Sequence, residues 1–330
     1  MDKFRAYRIN EENGDIIAGF QELSVDDLTE GNVVVRVSHS TINYKDALAA
    51  TGTARILRRY PLNGGIDLAG VVVSSEDEEF QPGTEVLVNG CGLSETVDGG
   101  YSEYARIDSK SLVAIPEGMS AVEAMQIGTA GYTAALAIHR MEQNGQSPDR
   151  GPIVVTGATG GVGSVAIDML AGLGYEAIAV TGKAAEEAYL REIGASRVLL
   201  RDQIDLGKRP MEKAEWGGAI DNLGGDYLTW LTRTVDYGGN IASIGLAASA
   251  ALNTTVLPFI LRAVCLLGIN SVDTPSHLRR AVWARIGDDL KPQHLNTIGN
   301  RTISFDELPD AFQAYIDGTV TGRTVVKIAP

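Results

Sequence analysis

The sequence contains little cysteine and little histidine. Its two cysteines, Cys91 and Cys265, lie far apart in the 330-residue chain and in no metal-binding spacing. A disulfide-stabilised secreted scaffold is therefore excluded, and a reduced, cytoplasmic protein is expected. The four histidines are scattered, and none has the spacing of a metal ligand. These observations predict a protein with no metal site.

The chain also lacks long apolar runs and an excess of positive charge. No run reaches the roughly 20 apolar residues that a membrane-spanning helix needs. The charged N-terminus lacks the apolar core of a signal peptide. The formal net charge is −14, so a nucleic-acid-binding surface is not expected. An anionic ligand would have to be attracted by a local positive patch. We expect neither membrane nor nucleic acid as a partner.

A glycine-rich stretch between a strand and a helix is the most informative feature. Residues 153–156 are apolar or β-branched, which predicts a buried strand, and a helical pattern begins at Ser164. Between them, Ala158, Gly160 and Gly163 take the three small-residue positions of a dinucleotide fingerprint. Small residues allow a tight turn and a close approach of the backbone to a pyrophosphate at the helix N-terminus. The predicted cofactor contacts here are Thr159, Gly160, Gly161, Val162, Gly163 and Ser164.

The end of the following strand indicates which nicotinamide cofactor binds. An NAD-binding protein of this type usually places an acidic residue there, about 20 residues past the glycines, on the ribose hydroxyl. This sequence has Thr181, Gly182 and Lys183 instead, and Arg201 follows the third strand. A hydroxyl, a backbone N–H and two cations would attract the 2′-phosphate of NADP(H). The alternative is that Lys183 and Arg201 are ordinary solvated surface charges.

The order of predicted elements divides the chain into a β-rich part and an alternating part. Residues 1–120 contain short strands separated by turns, which predicts a bent sheet or partial barrel. A long helical connection over 121–141 is expected to be broken at Gly128 and Gly131. After it, strands alternate with helices, which predicts an α/β fold with a doubly wound parallel sheet. Helices at 276–286 and 309–316 and a strand at 324–328 are expected to return to the β-rich domain. The predicted strands are 33–38, 68–74, 85–89, 153–156, 176–181, 197–200, 219–222, 240–244 and 264–269.

Several motifs together resemble the medium-chain dehydrogenase/reductase superfamily over essentially the whole chain. Within it, they look like the zinc-free branch of acrylyl-CoA reductases and related quinone oxidoreductases. The resemblance implies a Rossmann dinucleotide-binding domain, residues 126–269, inserted in a GroES-like catalytic domain, residues 1–125 plus 270–330. The motifs are Ile42–Asp46, Gly65–Val71, Asp98–Tyr104, Ile127–Ala134, Thr156–Gly163, Pro258–Arg262, Leu267–Val272 and Gly322–Lys327.

The resemblance also supports the prediction that zinc is absent. Zinc-dependent relatives carry a cysteine where this chain has Asn43, and a His-Glu pair where it has Ile66 and Asp67. Their four-cysteine lobe is missing altogether.

The implied reaction is hydride transfer from NADPH to the β-carbon of an α,β-unsaturated thioester, with acrylyl-CoA to propanoyl-CoA the expected conversion. Tyr44, Asn43 and Asp46 are the predicted catalytic residues, and Tyr44 is also expected to contact the cofactor. For Asn43 and Asp46 the alternative is a purely structural role at a helix N-terminus. Further predicted cofactor contacts are Thr129, Leu246, Asn270, Ser271 and Arg323, the last on a phosphate of the cofactor or of CoA.

A basic cluster, Arg55, Arg58 and Arg59, is the predicted binding site for the anionic part of the substrate. Solvated surface arginines are the alternative. An enzyme of the same fold that reduces a quinone or a free enone is the nearest rival function. A protein that binds NADPH but serves a structural or regulatory role is the second. The strand Ala263–Ile269 is predicted to form an apolar sheet edge. In similar proteins this edge pairs with a second copy, so the resemblance implies a homodimer.

Overall fold

The computed structural model describes residues 3–328, which form two compact units. Unit 1 comprises the described residues up to Thr129, the segment Ser271–Gly287, and the described residues from Gly299 onward. Unit 2 comprises Ala130–Asn270 and Asp288–Ile298. This division differs from the predicted domains mainly at 288–298, a segment expected in the β-rich domain.

The secondary structure alternates between the two units along the chain. The strands are β1 Phe4–Glu12, β2 Asp15–Leu23, β3 Val33–Ile42, β4 Leu62–Asn63, β5 Asp67–Ser75, β6 Glu85–Asn89, β7 Tyr104–Ile107, β8 Val113–Ala114, β9 Ile153–Thr156, β10 Ala177–Thr181, β11 Arg197–Leu200, β12 Trp216–Asp221, β13 Val235–Ser243, β14 Cys265–Gly268, β15 Arg301–Ser304 and β16 Thr324–Lys327. The α-helices are α1 Tyr44–Thr51, α2 Ala121–Gln143, α3 Gly161–Gly172, α4 Glu187–Glu192, α5 Gly225–Thr234, α6 Leu257–Arg262, α7 Ser276–Ile286, α8 Leu295–Ile298 and α9 Leu308–Ile316.

Unit 1 is built on two sheets. The larger has the order β15-β16-β3-β5-β6-β8, with β7 also paired to β3, and the smaller has the order β2-β1-β4. The β3–β5 pairing has register irregularities at Val34/Val35 and Val37/His39, and such irregularities bend a sheet. The predicted β-rich, bent architecture is therefore confirmed. β16 lies antiparallel to β3, with Val325 opposite Thr41.

Helix α2 is interrupted at Gly128, whose φ of 50° and ψ of −158° lie outside the helical region. Glycine adopts this left-handed φ without the steric cost that a side chain would bring. The predicted break at Gly128 is thus found, whereas the one predicted at Gly131 is wrong, because the helix continues through that residue. None of the described helices is both long and apolar enough to span a membrane.

Unit 2 contains a parallel six-stranded sheet with the order β11-β10-β9-β12-β13-β14. This order reverses direction on either side of β9, as a doubly wound sheet does, so the predicted fold class is confirmed. β12 and β13 begin earlier than predicted because glycines at their starts hide the strand pattern. A Cβ on Gly217 would lie 2.3 Å from the Arg150 carbonyl oxygen, so this strand start is a close backbone contact.

The 288–298 segment belongs to unit 2 and is hydrogen-bonded to helices of that unit. The backbone N–H of His294 donates to Asp168 Oδ2 at 2.9 Å, and its ring Nδ1 lies 3.0 Å from Oδ1 of the same carboxyl group. Thr297 donates to Glu192 Oε1 at 2.9 Å. These contacts join residues more than 100 positions apart, and no local pattern indicated them.

Candidate functional site

The glycine-rich turn of unit 2 connects β9 to α3. Gly157 has a φ of +61°, and the N–H of Ala158 donates to the Val180 carbonyl at 3.1 Å. A Cβ on Gly163 would lie only 2.4 Å from the Gly157 carbonyl oxygen, so the turn leaves no room for a side chain there. Gly160 caps α3, whose first turn contains no acidic residue. The unpaired N–H groups of this helix end therefore suit a bound phosphate.

The predicted contact residues in this turn differ in their surroundings. Thr159 is buried, and Gly160, Gly161 and Val162 are half-buried. Ser164 is fully buried, and its hydroxyl donates to the Ala158 carbonyl at 3.1 Å. The serine hydroxyl thus supports the turn from inside.

Sequence reasoning missed a polar group that holds this turn in place. The hydroxyl of Thr156, the last residue of β9, donates to Asp221 Oδ1 at 2.7 Å, and Asn222 Nδ2 donates to the Thr156 carbonyl at 2.7 Å. The Gly224 N–H donates to the other carboxyl oxygen at 2.8 Å. Burial raises the pKa of Asp221. The available signal was positional, since both polar groups end strands at the carboxyl edge of the sheet.

The residues predicted to bind a 2′-phosphate lie together at the end of β10. The Lys183 N–H donates to Thr181 Oγ1 at 3.0 Å. A Cβ on Gly182 would lie 3.1 Å from Arg201 Nη2, so the guanidinium lies against this glycine. Burial lowers the pKa of Lys183. Two cations thus lie near the strand end at which NAD-binding proteins usually carry an acidic residue. Such an acidic residue would repel a 2′-phosphate.

The remaining predicted cofactor contacts at strand ends are not gathered in one unit. Leu246 follows β13 and is 67% exposed. Asn270 is exposed and ends a segment of unit 2, whereas Ser271 begins a segment of unit 1. The Ser271 carbonyl accepts a hydrogen bond from Arg279 Nη2 at 3.0 Å.

In unit 1, Asn43 and Asp46 form a buried hydrogen-bonded pair at the start of α1. The N–H and Nδ2 of Asn43 donate to Asp46 Oδ2 at 2.8 and 3.0 Å, and the Ile66 N–H donates to Asp46 Oδ1 at 2.9 Å. Burial, reinforced by the neighbouring Asp67, raises the pKa of Asp46 to about 7. This geometry agrees with the alternative that Asn43 and Asp46 cap the N-terminus of α1. Asn43 also bonds to a second carboxyl group, that of Asp67.

That second group, Asp67, is the centre of a buried polar cluster that the sequence did not predict. Its Oδ2 accepts from Asn43 Nδ2 at 2.7 Å, and its Oδ1 accepts from the Thr129 hydroxyl at 2.6 Å and N–H at 2.9 Å. Arg323 Nη2 lies 4.0 Å from Oδ2. Burial raises the pKa of Asp67, against the opposing influence of Arg323. The signal that could have found it is an acidic residue within the otherwise apolar run 66–71.

Arg323, predicted to contact a phosphate of the cofactor or of CoA, has a buried side chain within unit 1. Its side chain is only 2% exposed. Its Nη1 donates to Asn43 Oδ1 at 3.0 Å, its Nη2 to Thr41 Oγ1 at 2.9 Å, and its Nε to the Gln126 carbonyl at 3.2 Å. A Cβ on Gly128 would lie 2.7 Å from Nη2. In unit 1 the guanidinium is thus enclosed by protein acceptors.

Tyr44 and the basic cluster lie on the surface of unit 1. Tyr44 is 51% exposed, consistent with an accessible ring. Arg55 and Arg58 line a cavity of about 490 Å³, together with Lys45 and Glu95, whereas Arg59 is not among its lining residues. Lys45 and Glu95, which form an ion pair, were not predicted.

These features define a dinucleotide-binding oxidoreductase built from a GroES-like unit and a Rossmann unit. Family models described as "Alcohol dehydrogenase GroES-like domain" and "Zinc-binding dehydrogenase" match residues 29–117 and 161–286. Among residues 3–328, no three His, Cys, Asp or Glu side chains are grouped as a metal site would require.

More specifically, the chain belongs to the family that contains the YhfP and AcuI proteins, within the medium-chain dehydrogenase/reductase superfamily. It is 44% identical to the putative quinone oxidoreductase YhfP of Bacillus subtilis, over 98% of this chain and 99% of the relative. It is 45% identical to the probable acrylyl-CoA reductase AcuI of Escherichia coli, with the same coverage. The structure of E. coli YhdH with bound NADPH matches with a TM-score of 0.94 and 45% identity, covering 98% of this chain and 100% of the other. The structure of YhfP with bound NAD matches with a TM-score of 0.96 and 44% identity, covering 99% and 100%.

Proposed function

We propose that this protein is an NADPH-dependent, zinc-independent reductase of short α,β-unsaturated thioesters, with acrylyl-CoA as its preferred substrate. The choice of NADPH rests on one observation: the Arg201 guanidinium lies against Gly182, next to Lys183, and position 181 holds a threonine where an acidic residue would repel a phosphate. Relatives of this length are named acrylyl-CoA reductases at 45% and 43% identity, which supports the substrate class.

When bound, the nicotinamide supplies the hydride. The turn at Gly157–Gly163 holds the pyrophosphate through backbone N–H groups at the start of α3. Thr181, Gly182, Lys183 and Arg201 hold the 2′-phosphate, and charge-assisted bonds of this kind give geometric selectivity as well as affinity. Thr159, Gly161, Val162, Leu246, Asn270 and Ser271 complete the proposed cofactor contacts, whereas the buried Ser164 supports the turn from inside.

In unit 1, the accessible ring of Tyr44 contacts the cofactor and the substrate. The negative charge that develops on the thioester oxygen requires a fixed donor nearby, and the Tyr44 hydroxyl is the proposed one. Asn43 and Asp46 fix the start of the helix that carries Tyr44. Thr129 and Arg323 hold Asp67, so we assign them a positioning role rather than direct contact.

The zinc-independent part of the proposal is supported by the bonding of Asn43 and Asp67. The side-chain amide of Asn43 donates through Nδ2 to the Asp67 carboxylate at 2.7 Å. Asn43 Oδ1 accepts from the Arg323 guanidinium at 3.0 Å. Hydrogen bonds within the chain thus connect the two positions at which zinc-dependent relatives carry ligands. No soft or imidazole ligand is present at either position.

A quinone or free enone is the competing substrate, and the name given to B. subtilis YhfP favours it. The deciding experiment measures NADPH oxidation against acrylyl-CoA, crotonyl-CoA, a benzoquinone and a free enone, with NADH in parallel. The proposal expects the largest kcat/KM for acrylyl-CoA with NADPH. Faster turnover of the quinone would transfer the protein to the competing function. NADPH binding without turnover of any acceptor would favour a structural or regulatory protein.

We further propose a homodimer formed through β14. This strand ends the six-stranded sheet, and Leu266 on it is 38% exposed. Ile260 and Leu261 of α6 are 68% and 59% exposed. An apolar edge with open backbone groups is stabilised by pairing with a second copy. Light scattering coupled to size-exclusion chromatography tests this, and a monomer mass at micromolar concentration would contradict it.

A further inference from the structure

The cavity beside α1 in unit 1 carries an excess of positive charge. Its lining residues are Lys45, Arg55, Ile56, Leu57, Arg58 and Glu95. Three cations thus face one carboxylate, on a chain whose formal net charge is −14. A positive patch on an acidic protein attracts anions locally while the rest of the surface repels them.

Glu95 only partly neutralises this cavity. It forms an ion pair with Lys45 and lies 3.9 Å from Arg58 Nη2. The Arg58 N–H also donates to the Glu95 carbonyl at 2.8 Å, which fixes the 55–59 loop beside the turn containing Glu95. The Arg58 side chain is 74% exposed, so its guanidinium is accessible to an anion from solvent.

The apolar part of the wall indicates what kind of anion fits. Ile56 is half-buried and Leu57 is buried at the base of the same loop. Cations beside an apolar surface suit a ligand that joins phosphate groups to an organic framework. A simple inorganic anion would make no use of the apolar contacts, and a quinone would make no use of the cations.

We propose that this cavity binds the phosphate-bearing end of coenzyme A, with Arg55, Arg58 and Lys45 as its phosphate contacts. The inference rests on the proposed function, since it assigns part of that substrate to a part of the fold. Lys45 directly follows Tyr44 on α1, so the same helix carries a phosphate contact and the proposed catalytic tyrosine. The cavity therefore selects CoA thioesters over quinones and free enones.

Direct binding tests the cavity independently of turnover. Isothermal titration compares CoA with pantetheine, which lacks the phosphates and the nucleotide, on the wild type, Arg55→Ala/Arg58→Ala and Arg36→Ala. Arg36 is an exposed arginine of β3 outside the cavity, so its removal shows what the loss of one positive charge elsewhere in unit 1 does to binding, against two in the double variant. We expect CoA to bind the wild type at least tenfold more tightly than pantetheine does. The double variant should lose most of that difference, while Arg36→Ala keeps it.

Turnover of two thioesters then connects the cavity to the substrate. Acrylyl-CoA is compared with acrylyl-N-acetylcysteamine, which presents the same acyl group without phosphates. The double variant should raise KM for acrylyl-CoA about tenfold and leave kcat/KM for the truncated thioester unchanged. Raising the salt concentration should increase the wild-type KM for acrylyl-CoA alone, since exposed charge contacts are screened. Circular dichroism checks that the variants remain folded.

The outcomes separate the two proposals. Equal binding of CoA by the wild type and the double variant would overturn the cavity assignment, even if acrylyl-CoA is reduced. Loss of activity on both thioesters in the same proportion would also overturn it. Intact, arginine-dependent CoA binding without reduction of either thioester would refute the proposed function while leaving the cavity assignment in place.

Discussion

Replacement of Asp67 by asparagine tests whether the buried cluster of unit 1 depends on its negative charge. The carboxylate accepts hydrogen bonds at 2.6 and 2.9 Å from Thr129 and at 2.7 Å from Asn43. An amide oxygen could keep the two Thr129 bonds, but the amide nitrogen would then face Asn43 Nδ2, a donor against a donor. The Arg323 guanidinium, 2% exposed, would also lose the carboxylate 4.0 Å away.

The expected cost follows from these losses. One hydrogen bond to a charged group contributes about 1.5–3 kcal/mol, and removing one partner of a buried ion pair typically costs about 3–5 kcal/mol in all. We therefore expect Asp67→Asn to lower the free energy of unfolding of unit 1 by about 3–5 kcal/mol. At about 1.4 kcal/mol per factor of ten, protection of its core amides should fall by about 100- to 4,000-fold.

Hydrogen exchange measured by mass spectrometry suits this test because it reports on each unit separately. Peptides covering β3 and β16 should lose protection, while those covering β9 and β10 serve as the internal reference. Asp15→Asn, which changes an exposed carboxylate on β2, controls for the change in net charge. Arg323→Met and the double variant complete a cycle in which the two substitutions should couple by more than 0.5 kcal/mol. Unchanged exchange in β3, or strictly additive effects, would refute the reasoning.

Three further predictions concern the nucleotide turn and the buried acid. Lys183→Ala should raise KM for NADPH about tenfold or more, because one charge-assisted contact is lost, and should leave NADH kinetics nearly unchanged; an equal effect on both cofactors would remove Lys183 from the 2′-phosphate site. Gly163→Ala places a methyl group 2.4 Å from the Gly157 carbonyl and should weaken NADPH binding at least tenfold in a fluorescence titration, whereas Gly19→Ala, with open space around its Cβ, should have no effect. Because the pKa of Asp46 is raised to about 7, this group favours folding at low pH, and its contribution to stability is lost as pH rises from about 4 to 7. Asp46→Asn should therefore flatten the dependence of the melting temperature on pH over that range. An unchanged slope would show that Asp46 does not titrate with a raised pKa.

The sequence predicted the parts of the fold that depend on local patterns. The strand, glycine turn and helix at 153–172 were recognisable because a tight turn restricts the residues that fit. The Asn43 start of α1 and the return of the chain at 324–328 were also predicted within a residue or two. The strand starts at Trp216 and Val235 were not, because glycines there serve close backbone contacts and weaken the strand pattern.

The Asp67 cluster could not be predicted because its contacts are long-range. Arg323 bonds to Asn43 across 280 positions of sequence, and neither residue carries a local signal for the other. The prediction that Arg323 contacts a phosphate followed from its place before the last strand. Its guanidinium lies inside unit 1, 4.0 Å from Asp67, and donates hydrogen bonds to four neutral acceptors, on Thr41, Ile42, Asn43 and Gln126.

The pairing of β16 with β3 has a consequence for the order in which the protein folds during synthesis. Residues 33–39 of β3 pair with β5, which is translated soon afterwards. Residues 39–42 pair with 324–327, the last described strand of the chain. On the ribosome this half of β3 therefore stays an open edge until residues 324–327 have emerged, whereas all six strands of unit 2 have been translated by then. Unit 2 is expected to fold first on the nascent chain. A stalled or truncated product would expose the unpaired edge at residues 39–42 of β3, and aggregation is expected to begin there.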